Sequence, residues 1–467
     1  MSRTVLVVGG GCSGTLVSRE LLRGTSDSVV LVDPSPGPGT GIAYGPAARP
    51  WHLLNSPAGT MSADPDAPGD FVDFCRLRRP TAGAGDFMPR SWYGDYLRQT
   101  LDTAYRYGAG RLRIRRDRVS RIVATTGGVD VEFESGARSA ADRVVLAIGA
   151  PGSGDPVARW SVGDDGRSGY VRDPWAPGAL DAVPTDRPVL LLGTGLTAVD
   201  VALSLAEAGQ RAPMVAVSRH GLLPNSQRRP GLPVPAQSGL PESAPSLRQL
   251  VRQLRELVRE GADWRAVVDG LRPRLDGLWE SLSPADRERF LRHLARHWEV
   301  HRHRMAPEIA DELDRLRASG LLTVRAATVG AVTPGPAGGL EVRLDHAGPA
   351  RVGTLAGTGE EVTAFGALVN CTGPGRLPAS ADPLVRRLLA DGLVRPGPYG
   401  LGLDVDGSGA LYGRDGSVDG VLWTVGPPRR GRFWETTAVP EIRNQARALA
   451  TRFATREDAP SPLAVAV

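Results

Sequence analysis

Lysine is absent from this chain: every basic side chain that carries a full charge is arginine. A lysine Schiff base and a lysine general base are thereby excluded. Cysteine is scarce. Cys12, Cys75 and Cys371 lie far apart and form no C-x-x-C pair, which argues against the local redox disulfide that relays electrons in disulfide reductases. No run approaches the roughly 18 consecutive apolar residues of a membrane-spanning helix, so no membrane association is expected. The start of the chain offers only "TVLVV" before glycines intervene, too short for a secretion signal. A cytoplasmic location is the expectation. Blocks of one charge sign are missing too. The 56 basic and 51 acidic residues are interspersed, with a net charge of +5, which does not suggest a nucleic-acid partner.

What is present is an ordinary globular composition, 41% apolar and 23% charged, over 467 residues, enough for two or three domains. The first unit opens with the β-branched strand "TVLVV". "GGGCSG" then sets Gly9, Gly11 and Gly14 at G-x-G-x-x-G spacing, with Cys12 and Ser13 between them. An amphipathic helix follows, ended by Gly24, and a second strand, "SVVLVD", closes on Asp33. Such a turn has a physical purpose. Its glycines let backbone N–H groups approach a pyrophosphate and let the helix sit close to the strand. The helix N-terminus adds its positive dipole end, and an acid at the second strand's tip can accept both ribose hydroxyls of an adenosine.

The same device recurs. "PVLLLG" leads into Gly193, Gly195 and Ala198 at G-x-G-x-x-A spacing, with Leu196 and Thr197 opening the helix. The next strand, "MVAVSRHG", ends on Ser218, Arg219 and His220 instead of a carboxylate. An acid would repel a 2′-phosphate, whereas Arg219 can pair with one. The second site therefore reads as NADP(H), and the first, with Asp33, as FAD or NAD; for Arg219 the alternative is a solvated turn residue. Each unit is followed by a β-meander and an apolar closing strand, the first ending at Gly149-Ala150-Pro151-Gly152 and the second at Gly373-Pro374-Gly375. The fold class predicted is α/β, with two Rossmann-like dinucleotide-binding modules carrying β-meanders, plus a helical insertion. Residues 1–152 and 376–467 make the first module, 186–235 and 321–375 the second, and 236–320 the insertion, a candidate substrate lid.

This layout resembles the two-dinucleotide-binding-domain flavoproteins, in which the first module holds FAD and the inserted second module holds NAD(P)H. "VLAIGA", with Gly149, and "VLWTVGPP", with Gly426, stand where that superfamily makes its second and third FAD contacts; Pro427 replaces an aspartate that in many members binds the ribityl chain. "GIAYGPAARPWHLLNSPAGTMSADPDAPGDFVDFC" and "FMPRSWYGDYLRQTL" resemble a bacterial FAD/NAD(P)-binding family and, more distantly, flavin-dependent N-hydroxylating monooxygenases. The second stretch carries Pro89, Arg90, Tyr93, Tyr96 and Leu97 of their Pro-Arg-x-x-[aromatic]-x-x-Tyr-Leu pattern. No F-x-G-x-x-x-H-x-x-x-W signature supports a Baeyer–Villiger reaction. The resemblance implies FAD and NADPH as cofactors, O2 as co-substrate and N-hydroxylation of an amine or amino acid in specialised metabolism. The alternatives are an FAD-dependent NAD(P)H oxidoreductase without oxygen insertion, and a non-catalytic nucleotide-binding protein. The expected partners are a small-molecule substrate and O2, with a homo-oligomer left open.

By the same resemblance His52, Asn55, Met61 and Ser62 lie near the flavin ring, with Asn55 and Ser62 as catalytic candidates; equally, His52 and Asn55 can serve only to satisfy loop backbone. Trp434, Glu435 and Thr436 would line the pyrimidine edge, where the helix opening at Pro440 aims its N-terminus, although Trp434 also suits inter-domain packing. In the insertion His293, His297 and His301 recur at i, i+4 and i+8. No Asp, Glu or Cys joins them at ligand spacing and arginines crowd them, so no metal is assigned. Among those arginines Arg302 and Arg304 can clamp a substrate carboxylate, or form salt bridges to the insertion's own acids.

Overall fold

The computed structural model describes residues 2–160, 169–231, 239–243, 246–335, 338–346, 360–377 and 380–455. Its first sheet is parallel and five-stranded, in the order Leu422–Thr424, Arg143–Leu146, Thr4–Val8, Ser28–Val32, Leu112–Arg115. The opening run TVLVV takes the central place because both its faces are apolar. Val5 and Val7 pack into the core shared with the helices Cys12–Gly24, Arg90–Tyr107 and Val439–Ala454. Leu6 and Val8 face the opposite side, where the three-stranded meander Val119–Thr125, Gly128–Phe133, Arg138–Ala141 covers the sheet.

The second sheet has seven strands, ordered Glu360–Phe365, Leu340–His346, Leu322–Pro334, Met214–Ser218, Val189–Leu192, Ala367–Asn370, Tyr170–Val171. Here the meander is not a separate layer. Leu322–Pro334 is one long strand whose first part runs parallel to Met214–Ser218, from Met214↔Leu322 to Ser218↔Ala326. Its second part, from Ala327 onward, pairs antiparallel with Leu340–His346. The two halves are thus alike in order of elements and different in how the meander attaches.

Helix Pro307–Ala318 was expected inside the insertion. It instead buries Ile309, Leu313 and Leu316 against helix Leu196–Glu207, forming the crossover between the parallel strands Met214–Ser218 and Leu322–Pro334. The inserted helices proper run from Leu247–Arg259 to Ala295–Arg302; the boundary expected at residue 235 lies outside the described residues. Ser283 accepts the Asp286 N–H, capping the helix that Pro284 opens, as its sequence predicts. Among the described residues no helix is long and apolar enough to cross a membrane.

Candidate functional site

At the carboxyl end of the first sheet, helix Cys12–Gly24 starts at Gly11 with no side-chain cap and no acid in its first turn. Its amide donors are therefore not answered by the chain's own side chains. Gly14 is required by a close approach: a Cβ there would sit 1.8 Å from the Gly9 carbonyl oxygen. The third contact folds onto this turn. A Cβ on Gly426 would lie 2.6 Å from Ser13 Oγ, and the Gly426 N–H donates to Gln445 Oε1 at 2.8 Å. Gly149 stands at the exit of the neighbouring strand, with open space around it. Pro427 supplies neither a carboxylate nor an N–H. Asp33 accepts the Gly10 N–H at 2.6 Å and the Ser35 N–H at 2.8 Å, on different oxygens. The oxygen that takes the Ser35 N–H also accepts the Ser35 hydroxyl, so the one facing Gly10 is the oxygen that keeps a second acceptor position for a ribose hydroxyl. Burial pushes the Cys12 thiol up to about 12, so Cys12 offers a backbone, not a thiolate.

The second turn repeats this on the second sheet. Gly193 adopts φ +125, and a Cβ there would meet the Cys371 carbonyl oxygen at 2.4 Å. Gly195 begins helix Leu196–Glu207 without a side-chain cap or a first-turn acid, and nothing stands within 4 Å of where its Cβ would be. That emptiness leaves the Gly195 backbone open to a ligand, with half-buried Leu196 and Thr197 next to it in the helix's first turn. Arg219, just past strand Met214–Ser218, is exposed and has no ion-pair partner among the described residues. His220 lies beside it, its ring 5.9 Å from that of His297 in the insertion.

The loop residues expected at the flavin are largely engaged by the protein itself. The His52 ring has Arg49 N–H donating to Nδ1 at 3.2 Å, while Nε2 lies 2.9 Å from Ser204 Oγ. Ser204 belongs to the second module's helix, so His52 joins the modules and presents no spare nitrogen; burial lowers its pKa. The buried Ser62 hydroxyl donates to the carbonyls of Asp64 and Ala67 and accepts from Asp64 N–H. These bonds make the Ser62 hydroxyl a tie within its own loop. Met61 is buried in the first core. Asn55 is the one of the four that stays half-buried at the junction of modules, where its carbonyl accepts the Gln227 side chain at 2.9 Å. Sequence reading missed the strongest tie between the modules. Arg90 sends two N–H groups to Asp200, at 2.6 and 3.3 Å, and a third to the Leu53 carbonyl. Asp200 breaks an apolar run of its helix, which marks it as needing a partner but does not say which.

Residues 6–151 match the profile of the FAD-NAD(P)-binding family. No curated protein matches the chain in sequence. In three dimensions the chain is similar to the ornithine hydroxylase PvdA of Pseudomonas aeruginosa, with a TM-score of 0.63 and 15% identity over 97% of this chain and 99% of that one. The ornithine N-hydroxylase KtzI of Kutzneria sp. 744, solved with reduced FAD, NADP+ and L-ornithine, gives 0.66 and 14% over 98% and 100%. The cadaverine monooxygenase DfoA of Erwinia amylovora, bound to FAD, gives 0.66 and 14% over 98% and 95%. The fold is that of a two-dinucleotide-binding-domain flavoprotein.

Within this flavoprotein fold the insertion docks on the carboxyl-terminal segment that follows Gly426. Trp434 packs against Trp279 and Phe290, each at 4.9 Å between ring centres, and Trp279 Nε1 donates to the Gly431 carbonyl at 3.0 Å. Trp434 is thus a packing residue of this contact. Glu435 accepts from Arg302 Nε at 3.0 Å. Thr436 is fully buried, and its hydroxyl has no partner. Helix Val439–Ala454 begins one residue before Pro440, without a side-chain cap, and Glu441 in its first turn binds Arg272. Arg304 reaches Asp269, so both expected substrate arginines carry a carboxylate partner. His303, between them, is pushed down to about 4 by burial, and then by the cationic Arg302. It is a neutral imidazole at pH 7.

Proposed function

We propose that this chain is an FAD-containing, NADPH- and O2-dependent monooxygenase that hydroxylates the nitrogen of an amine or amino acid. One observation carries the reading: two uncapped glycine turns stand on two different sheets, one beside a carboxylate and the other beside an arginine with no ion-pair partner among the described residues. FAD fits the first. The turn around Gly9, Gly11 and Gly14 has no side chain to fill the space of a diphosphate, Asp33 suits the ribose, and Gly149 and Gly426 flank the same cradle. NADPH fits the second, with Gly195 open and Arg219 free to pair with a 2′-phosphate.

Bound FAD would supply acceptance of hydride from the nicotinamide and activation of O2. The residues of this chain have the remaining tasks. The loop closed by His52 and Arg90 holds the two modules together. Thr436 has an unclaimed hydroxyl to offer the bound flavin's edge. Three unpaired cysteines leave no dithiol relay, which favours oxygen chemistry over disulfide reduction.

The test begins with the purified protein, which must show the flavin absorbance bands or take up FAD on titration. NADPH consumption with an amine and amino-acid panel under labelled O2 should place the label on nitrogen. Oxidation of NADPH with product but no label makes the chain an oxidoreductase without oxygen insertion. No turnover with any substrate makes it a nucleotide-binding protein. Arg219→Ala should reduce the NADPH over NADH preference in kcat/KM at least about tenfold, the value of one charge-assisted contact of about 1.5 kcal/mol; an unchanged ratio removes Arg219 from the site.

A further inference from the structure

Arg304 is 3% exposed and its guanidinium has a single carboxylate partner, Asp269, bound through Nη2. Its Nε and Nη1 are buried without any acceptor. No other arginine among the described residues has two such nitrogens. Arg302, 8% exposed, leaves Nη2 in the same condition beyond its bond to Glu435. Buried polar groups in folded chains are normally satisfied, and three adjacent exceptions of one charge call for a missing acceptor.

The local charge agrees. Burial lowers the pKa of Arg304 first, and both Arg302 and Arg265 oppose its charge. Arg265 gives its Nε to the Ser226 carbonyl and has no carboxylate partner among the described residues. Arg265, Arg302 and Arg304 therefore face two carboxylates, Asp269 and Glu435, with one positive charge over. That surplus matches a monoanion better than a phosphate dianion. A planar carboxylate also suits the parallel N–H fork of a guanidinium.

The position is right for a substrate. Met305 exchanges backbone hydrogen bonds with Asn225 and Gln227, and Gln227 holds Asn55. Arg302 reaches the Glu435 segment that precedes the helix at Val439. Trp264 closes one side, its ring 5.8 Å from the Arg304 guanidinium carbon. The insertion, the first module's loop and the carboxyl-terminal segment thus meet here.

We propose that Arg304, with Arg302 beside it, binds a carboxylate of the substrate, so that the nitrogen to be hydroxylated belongs to an amino acid and not to a simple amine. The word substrate rests on the monooxygenase reading; the anion site does not. The experiment compares the flavin-loaded protein with Arg304→Gln and Arg304→Lys. Thermal shift and tryptophan fluorescence are read against acetate, glycine, β-alanine, L-ornithine and L-lysine. Methylamine, putrescine and cadaverine serve as counterparts without a carboxylate, and inorganic phosphate and NADP+ as other oxyanions. Carboxylates should bind wild type, at least tenfold more weakly Arg304→Gln, and amines should not distinguish the two. Arg304→Lys keeps the charge and loses the fork, so it should fold if Arg304→Gln does not, and still bind carboxylates weakly. Equal carboxylate response in wild type and variants overturns the proposal. So does a response confined to phosphate or NADP+, which would assign the arginines to the dinucleotide. Carboxylate binding without label on nitrogen sinks the monooxygenase reading and spares the site. Label placed equally well on amines with and without a carboxylate does the reverse.

Discussion

At the scale of single residues, glycines that look identical in sequence have different reasons to be there. Gly14 is fixed by packing, because its missing side chain lets the helix touch the Gly9 carbonyl. Gly195 is fixed by nothing inside the chain, since its surroundings are empty and its φ of −82 suits any residue. Gly195→Ala should therefore cost no more than about 1 kcal/mol of stability, the price of a poorer N-cap. The same change should weaken NADPH binding in an equilibrium titration, because a methyl group would occupy the dinucleotide's approach. A variant that binds NADPH as wild type does would mean that the ligand does not run over this turn. His52 and Ser62 teach the complementary lesson. Their types suggested chemistry, but neighbours 152 positions distant or only two to five positions away have claimed every polar atom of the one ring and the one hydroxyl.

At the scale of elements, the important junction is between helix Arg90–Tyr107 of the first module and helix Leu196–Glu207 of the second. Asp200 is 4% exposed and faces Arg90 across it. Removing one member of a buried pair leaves the other charged in a poor solvent, which typically costs about 3–5 kcal/mol. Arg90 retains some solvent contact, so Arg90→Ala is expected near the low end, about 3 kcal/mol, in denaturant unfolding. Arg90→Ala combined with Asp200→Asn should recover part of that loss, since the stranded charge is gone. Losses that simply add would show that the pair is not coupled. Strands and helices themselves were legible, because runs such as "TVLVV" and "PVLLLG" have apolar residues on both faces and glycine turns at their ends. Partnership was not. Periodicity identifies helix Pro307–Ala318 but says nothing of which module buries Leu313 and Leu316. Nor does it reveal that one strand, Leu322–Pro334, serves a parallel and an antiparallel neighbour in turn. The glycine turns could be read because their chemistry is local; Arg90–Asp200 and Arg302–Glu435 could not, because each joins segments more than a hundred residues apart.

At the scale of the whole molecule, two proposed nucleotide sites on two sheets have a thermodynamic consequence. A ligand that binds only the native state stabilises it by RT ln(1 + [L]/Kd), about 2.7 kcal/mol at a hundredfold excess over Kd. FAD added to flavin-stripped protein should raise the unfolding temperature by several degrees, and its removal should lower it again. NADP+ should do the same, and sites on separate sheets should respond separately. Their glycine turns share no strand, for one rests on Thr4–Val8 and the other on Val189–Leu192. In protein already saturated with FAD, NADP+ should therefore add its own increment, larger if the flavin helps to order the junction at which His220 meets the insertion. The increment of NADP+ should fall in Arg219→Ala while that of FAD stays, which ties each shift to its own turn. If FAD saturation abolished the NADP+ shift, the two ligands would be competing for one cradle. The second glycine turn would then be a packing device and not a nucleotide site.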